Sequence, residues 1–114
     1  RTRLRELVPP LLAKWQSALG VEVAAWGIRK MKTKWGSCNA AARRVSLNLE
    51  LAKKPPECLE YLVVHELCHL LHADHSRRFW REVEARFPTW RDERHYFHAE
   101  GRRLKARLRG LLAG

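Results

Sequence analysis

The chain has 114 residues, of which 46% are hydrophobic, and a formal net charge of +11. That length suits one compact domain over residues 1–114, and the hydrophobic content excludes wholesale disorder. The excess of Lys and Arg favours polyanions or acidic proteins as partners but does not determine the fold. No apolar segment approaches the ~20 residues that a membrane-spanning helix requires, so we expect no membrane partner.

The first half of the chain predicts one helix followed by strands. The pair Pro9-Pro10 is tolerated in a first helical turn and Gly20 is typical of a helix end, so we expect a helix from Pro9 to Gly20. Apolar and polar residues alternate over 21–25 and over 45–49, which is the period of a strand. We therefore expect a small antiparallel sheet of about three strands within residues 21–49.

The second half predicts helices. Prolines and hydroxyl side chains, which are typical of helix starts, precede three segments, and we expect helices over residues 56–72, 77–87 and 90–109. Ser76 can cap the second of these helices and Thr89 the third, while Pro88 ends the second. The order of one helix, several strands and further helices predicts an α+β fold.

The cysteines indicate the cellular compartment, and the first residue indicates whether the sequence is part of a longer chain. Cys38, Cys58 and Cys68 are odd in number and form no C-x-x-C pair, which favours a reducing compartment, so we expect a cytoplasmic protein. The sequence begins with Arg1, so we also expect it to be part of a longer chain.

A histidine-rich segment over residues 65–75 carries the chemistry. His65 and His69 are four residues apart, so on a helix they share one face and can bind a single zinc ion. Glu66 lies about 100° round that helix, where it reaches a metal-bound water but not the metal. A catalytic zinc typically has three protein ligands and one water, and His75 is suitably spaced if the chain turns after the helix.

The residues around this motif have simpler interpretations. An apolar stripe roughly opposite the histidine pair predicts that the helix is packed by its back; it consists of Leu59, Val63, Leu67 and Leu70. His72 lies ~10 Å along a helix from His65, so we expect it at the surface or outside the ligand set. Cys68 and Cys58 are expected to be small packed residues, whereas Cys38 stays a candidate neighbour of the metal because the sheet must border the cleft.

Several longer motifs resemble one family. They are KMKTKWGSC over 30–38, SLNL over 46–49, YLVVHELCHL over 61–70, HSRRFW over 75–80 and PTWR over 88–91. Together they resemble the YgjP-like metal-dependent hydrolases, a group related to the SprT and WLM peptidase-like domains. The resemblance covers about residues 20–97. Members of this family usually have additional sequence before the catalytic part, so the resemblance also implies that this chain is the catalytic portion of a longer protein.

The resemblance implies a zincin-like minimal metallopeptidase core, with a sheet of about three strands packed on the active-site helix. It also implies His65, His69 and His75 as Zn²⁺ ligands and Glu66 as the catalytic acid/base. By analogy with zincins, an extended peptide or protein substrate pairs with a sheet edge, and we expect that edge at residues 34–38, with contacts from Trp35, Gly36 and Ser37. An equally open interpretation makes Trp35 a core aromatic residue.

The expected reaction is hydrolysis of a peptide bond. Glu66 acts as general base on a zinc-activated water and then returns the proton to the leaving amine. A further donor can stabilise the oxyanion; we select Tyr96, while Arg91, Arg94 and His98 stay open as alternatives.

Three competing interpretations remain. In a gluzincin-like site the third ligand would be Glu82 or Glu84 instead of His75. A metal-dependent ribonuclease that matures ribosomal RNA shows three histidines at this spacing, but its motif has Gly where Glu66 stands. A third interpretation is a basic module with a non-catalytic metal site, whose C-terminal helix over 102–109 would contact nucleic acid or an acidic protein.

Overall fold

A computed structural model describes residues 2–32 and 34–88 of the chain. Its elements are helix α1 (Thr2–Leu19), strands β1 (Ala25–Arg29), β2 (Gly36–Asn39) and β3 (Arg44–Asn48), a short 3-10 helix (Leu49–Lys53), and helices α2 (Pro56–Cys68) and α3 (Arg77–Arg86). The predicted α+β class is confirmed. The helix predicted over 90–109 lies outside the described residues. No helix among the described residues is long and apolar enough to cross a membrane.

Helix α1 begins earlier than the sequence predicts. It starts at Thr2 and contains Pro9 and Pro10 in its interior, so the predicted start at Pro9 is wrong. Both prolines lie on the exposed side, whereas the opposite side buries a stripe of Leu4, Val8, Leu12, Trp15 and Leu19. Burial of that stripe offsets the backbone hydrogen bonds that the prolines cannot make. The predicted end is confirmed, because Gly20 adopts a positive φ of 68° just past the helix.

The sheet is mixed, in the order β1-β3-β2. Strand β2 pairs with β3 antiparallel, as predicted, but β1 pairs with β3 parallel, so the prediction of an all-antiparallel sheet is wrong. The strand predicted over 21–25 is also misplaced, because β1 starts at Ala25. The preceding residues are held by α1 instead: Val21 N donates to Gln16 O at 3.1 Å, and Val23 N donates to Gln16 Oε1 at 2.8 Å.

The connection between β1 and β2 crosses the end of β3. Strands β1 and β2 flank β3 on opposite sides, and Arg29 and Gly36 lie level with Asn48 and Leu47 at the same end of β3. We call the described residues of this connection, 30–32 and 34–35, the crossing loop. Asn48, which is fully buried, holds this loop through its side-chain amide and its backbone N–H. The loop therefore has a fixed position at the end of the sheet.

Helix α2 runs through the middle of the molecule. Leu59, Val63 and Leu67 of the predicted apolar stripe are buried. Most of the other faces of α2 are buried as well, because α1, α3 and the sheet all pack against this helix. It ends at Cys68, so the predicted extension to His72 is wrong: turn-like hydrogen bonds replace the helix from His69 onwards. The cap predicted for α3 is confirmed, because Ser76 Oγ accepts from Phe79 N at 3.4 Å.

Candidate metal centre and cleft

Three histidines converge where α2 ends and α3 begins. His65 lies in the last turn of α2, His69 is the residue that ends the helix, and His75 comes just before the cap of α3. One ring nitrogen from each side chain lies within 4.8 Å of the others, and no further His, Cys, Asp or Glu of the described residues joins them in such a group. The turn after Cys68 produces this convergence, because it brings His75 back towards the helix.

The geometry of the three rings fits a tetrahedral metal ion. The Nε2 atoms of His65 and His75 lie 3.3 Å apart. Two ligands at the usual Zn–N distance in a tetrahedral site are separated by ~3.3 Å, so this spacing matches one edge of a zinc site. His69 Nδ1 lies 3.3 Å from the carbonyl oxygen of His72 and 3.1 Å from that of Ala73. A proton on Nδ1 that is donated to these carbonyls leaves Nε2 as the ligand atom.

The environment of His69 favours the protonation state that a ligand needs. Burial, assisted by the charge of His75, lowers the pKa of His69 below its usual value. A lower pKa keeps the imidazole neutral at neutral pH, and only neutral imidazole binds a metal. The Tyr61 hydroxyl lies 3.4 Å from His65 Nδ1, on the side away from His75.

An aromatic floor supports the histidines. Phe79 is fully buried, and its ring centroid lies 5.0, 4.5 and 4.9 Å from those of His65, His69 and His75 respectively. Trp80 stacks on His75 at 5.6 Å, with 22° between the ring planes. These contacts restrict how each imidazole can rotate, so the rings are held in place by packing as well as by hydrogen bonds.

Glu66 faces the same cleft from within the protein. Only 5% of its surface is exposed, and burial raises the pKa of its carboxyl to about 8, while the charge of Lys34 acts in the opposite direction. Carboxylates with raised pKa values in clefts are frequent in active sites, because a stronger base results. Glu66 and the three histidines line one cavity of about 430 Å³.

Strand β2 forms the opposite wall of this cavity. Lys34, Gly36, Ser37 and Cys38 all line it. Gly36 approaches Glu66 so closely that a Cβ atom at this position would lie 3.1 Å from Glu66 Oε2 and 2.9 Å from Leu62 Cδ1. Any side chain at this position would therefore push against the carboxylate.

The structure separates the residues predicted for substrate contact. Gly36 and Ser37 line the cavity, but Trp35 does not; it is half-buried against the core, and Lys54 Nζ lies 5.6 Å above its ring. This placement favours the core interpretation of Trp35. Cys38 lines the cavity as a free thiol, and burial, with help from Glu66, raises its pKa to about 11.

The remaining candidates lie away from the histidines or outside the described residues. Glu82 pairs with Arg86 at 3.0 Å and, like Glu84, is absent from the ligand group formed by the described residues. His72 contributes its backbone carbonyl, not its ring. Cys58 and Cys68 are buried, as expected, and neither forms a disulfide. Tyr96, its alternatives at 91, 94 and 98, and the basic segment 102–109 lie outside the described residues.

Sequence reasoning missed three residues that support the site: Phe79, Asn48 and Tyr61. Tyr61 and Phe79 each stand four residues from a predicted ligand, on the same helical face as His65 or next to the turn that carries His75. That spacing was a signal for a supporting aromatic residue. Asn48 gave no such signal, because its partners come from the crossing loop.

Comparison with known proteins identifies the fold as that of a metal-dependent peptidase. The chain belongs to the YgjP-like family, whose metallopeptidase-domain model matches residues 1–100. It is also similar in structure to the metallopeptidase zymogen abylysin of Pyrococcus abyssi, with a TM-score of 0.71 and 26% sequence identity over 80% of this chain and 91% of that one. No significant match occurs among curated proteins.

Proposed function

We propose that this domain is a zinc peptidase that hydrolyses peptide bonds with Glu66 as its general base. The observation that carries this proposal is the shared cavity, in which a buried carboxylate of raised pKa lies beside three converging imidazoles. His65, His69 and His75 would hold the ion. When bound, zinc would supply a Lewis acid that lowers the pKa of a water to about 7 and favours the ionised form of the nearby carboxyl.

Glu66 performs the proton transfers. Its carboxylate accepts a proton from the attacking water and delivers that proton to the nitrogen of the leaving amine. Burial suits this role, because a base whose pKa lies near neutrality takes up and releases a proton with little cost in either direction. The absence of a side chain at Gly36 leaves the carboxylate room beside β2.

Strand β2 positions the substrate. It pairs with β3 on one side only, and among the described strands none pairs with its other side. An extended peptide can add to such an edge through main-chain hydrogen bonds, and its proposed contacts are Gly36 and Ser37, which line the cavity together with Cys38. Tyr96 remains our proposed oxyanion donor. A cytoplasmic location also remains a prediction, favoured by three cysteines that form no disulfide.

The family and the structural neighbour favour a peptidase over the ribonuclease and the non-catalytic module. The decisive variant is Glu66→Gln, which keeps the shape of the side chain but cannot accept the proton. With zinc content measured by atomic spectroscopy and unchanged, hydrolysis of a peptide mixture should fall by roughly 10²–10⁴-fold.

Glu57→Gln is the matched control for this test, because Glu57 is an exposed carboxylate in the first turn of the same helix. It should retain wild-type activity. Full peptidase activity in Glu66→Gln with normal zinc content would exclude Glu66 from the mechanism.

A further inference from the structure

A second cavity adjoins the cleft at the crossing loop. It measures about 360 Å³, a size typical of pockets for small ligands, and is lined by Arg29, Lys30, Met31, Lys32, Lys34 and Ser37. Lys34 and Ser37 line the cleft as well, so the two cavities meet at these residues. A group bound in the second cavity would therefore lie next to a molecule bound in the cleft.

The second cavity is strongly basic. Four of its lining residues are cationic and none is acidic. Within residues 2–32 and 34–88, none of the four forms an ion pair with a carboxylate, whereas Lys14, Arg43, Lys53 and Arg86 all do. Like charges held close together repel one another, and an anion bound among them relieves that repulsion.

The loop that carries these cations is held in place from beneath. Asn48 Nδ2 donates to Met31 O at 3.1 Å and to Lys34 O at 2.8 Å, and Asn48 N donates to Trp35 O at 2.9 Å. Asn48 Oδ1 accepts a hydrogen bond from Glu50 N at 3.0 Å, so both the nitrogen and the oxygen of this side-chain amide are hydrogen-bonded. The backbone of the loop is thus fixed before any ligand arrives, which lowers the entropic cost of binding.

We propose that this basic cavity is a subsite for a carboxylate side chain, Asp or Glu, of the peptide that is cleaved in the adjoining cleft. The inference rests on the proposed peptidase function and names its substrate class: peptides with an acidic residue close to the scissile bond. A peptide carboxylate is favoured over a nucleic acid because the cavity has the size of a small ligand and shares Lys34 and Ser37 with the cleft that holds Glu66.

Cleavage of a defined peptide mixture tests the inference first. The zinc-loaded full chain should cut at sites enriched in Asp or Glu at one fixed position relative to the cut, as read by mass spectrometry. For a good substrate and its Glu→Gln counterpart, kcat/KM should favour the acidic peptide about tenfold at low salt, and less at high salt. Cleavage with no preference for acidic peptides would overturn the subsite and leave the peptidase function intact.

Charge reversal locates the preference. Lys32 is exposed and lines the second cavity but not the cleft, so Lys32→Glu should abolish the preference for the acidic peptide, and Lys32→Gln should reduce it. Arg5→Glu is the control: Arg5 is an exposed cation of α1 that lines neither cavity, and this variant should keep both activity and preference. An equal loss of preference in Arg5→Glu and Lys32→Glu would mean that net charge, not the cavity, selects the substrate.

A binding measurement separates failure of the subsite from failure of the peptidase. Zinc-loaded Glu66→Gln protein is titrated with a fluorescent peptide containing one Glu, with its Gln counterpart, and with a single-stranded oligonucleotide. If the wild type cleaves nothing, the proposed function is contradicted, but tighter binding of the Glu peptide that is lost in Lys32→Glu would still support the subsite. Tighter binding of the oligonucleotide that displaces the peptide and depends on Lys32 would assign the cavity to nucleic acid and overturn the inference.

Discussion

The interface between α1 and α2 and the cleft on the other side of α2 are built in opposite ways. The interface is mainly apolar, with Leu4, Val8 and Leu12 of α1 and Leu59 and Val63 of α2 all buried. A partly exposed ion pair between Lys14 and Glu60, at 3.3 Å, also joins the two helices. The attraction between apolar groups has no direction and is spread over many contacts, so neighbouring side chains can adjust when one changes.

The cleft depends on individual atoms. Two backbone carbonyls orient His69, the side-chain amide and backbone N–H of Asn48 hold the crossing loop, and the absence of a side chain at Gly36 leaves space for Glu66. Each of these features depends on the position of a few named atoms. One side of α2 therefore contributes to stability and the other to the cleft. We expect a mutation on the first side to lower stability and a mutation on the second to lower metal binding or hydrolysis.

Loss of a proposed metal ligand should have the largest effect on the cleft. His75→Ala removes one of the three converging nitrogens and should abolish tight zinc binding, because even an outer hydrogen-bond partner of a zinc ligand is worth ~10–100-fold in affinity. Competition with a chromophoric chelator measures the affinity. His72→Ala is the control, because its backbone carbonyl contacts the site and its ring does not. Equal zinc binding in both variants would contradict the role of His75.

The pH dependence of stability should reveal the cost of burying Glu66. In the metal-free folded protein its pKa is raised from 4.5 to about 8, so unfolding releases a proton between these pH values. Below pH 4.5 the Glu66 carboxyl is protonated in both the folded and the unfolded state, so its burial costs no stability through ionisation. Above pH 8 the carboxyl is ionised in both states, and the folded state then carries a buried charge. The unfolding free energy of the wild type, relative to Glu66→Gln, should therefore fall by about 4 kcal/mol over this range.

Urea unfolding of both metal-free proteins at several pH values measures this difference. All other ionisable groups are the same in the two proteins, so their contribution largely cancels. A difference that stays constant from pH 4.5 to 8 would show that the carboxyl is not held in a desolvated position.

Truncation in the interface should damage stability alone. Leu12→Ala removes a buried side chain of α1 and should lower the unfolding free energy by about 3 kcal/mol, because a cavity remains. Zinc affinity at a temperature where the variant is folded should match the wild type. Ser17→Ala, an exposed change on the same helix, should stay within about 0.5 kcal/mol. A parallel loss of zinc affinity in Leu12→Ala would show that the two sides of α2 are coupled.

A single methyl group added at Gly36 should lower both stability and hydrolysis modestly. Its Cβ would meet Leu62 and Glu66, so we expect a loss of about 2 kcal/mol in stability and reduced hydrolysis, with zinc binding retained. Gly27→Ala is the matched control, because Gly27 is also a strand glycine and a Cβ there meets nothing within 4 Å. Equal effects of the two changes would indicate strand propensity, not contact with Glu66, as the cause.

The sequence predicted the convergence of the three histidines better than the sheet, because the candidate ligands are close together along the chain. The spacing of His65 and His69 on a helix, a turn before His75, and the cap at Ser76 are all local features. Local patterns determine which residues share a helical face and where helices begin, and they require no knowledge of distant partners.

The features that the sequence could not provide come from distant residues. Alternation along a strand identifies its two faces but not the direction of its neighbour, so the parallel pairing of β1 with β3 was not predictable. The contact of Asn48 with the crossing loop and the approach of Gly36 to Glu66 arise only when the sheet is in place. The predicted start of α1 at Pro9 is wrong because the buried apolar stripe of this helix extends to Val8 and Leu4, on the N-terminal side of the proline.

The turn that gathers the three histidines has a consequence for the order of assembly. His65 and His75 are only 10 residues apart, so the loop between them is short and the entropic cost of closing it is low. The approach of Gly36 to Glu66 instead joins residues 30 positions apart and requires the sheet to form first. A partly folded chain should therefore capture zinc before it can cleave a peptide, and metal content alone overestimates the fraction of competent molecules in a preparation.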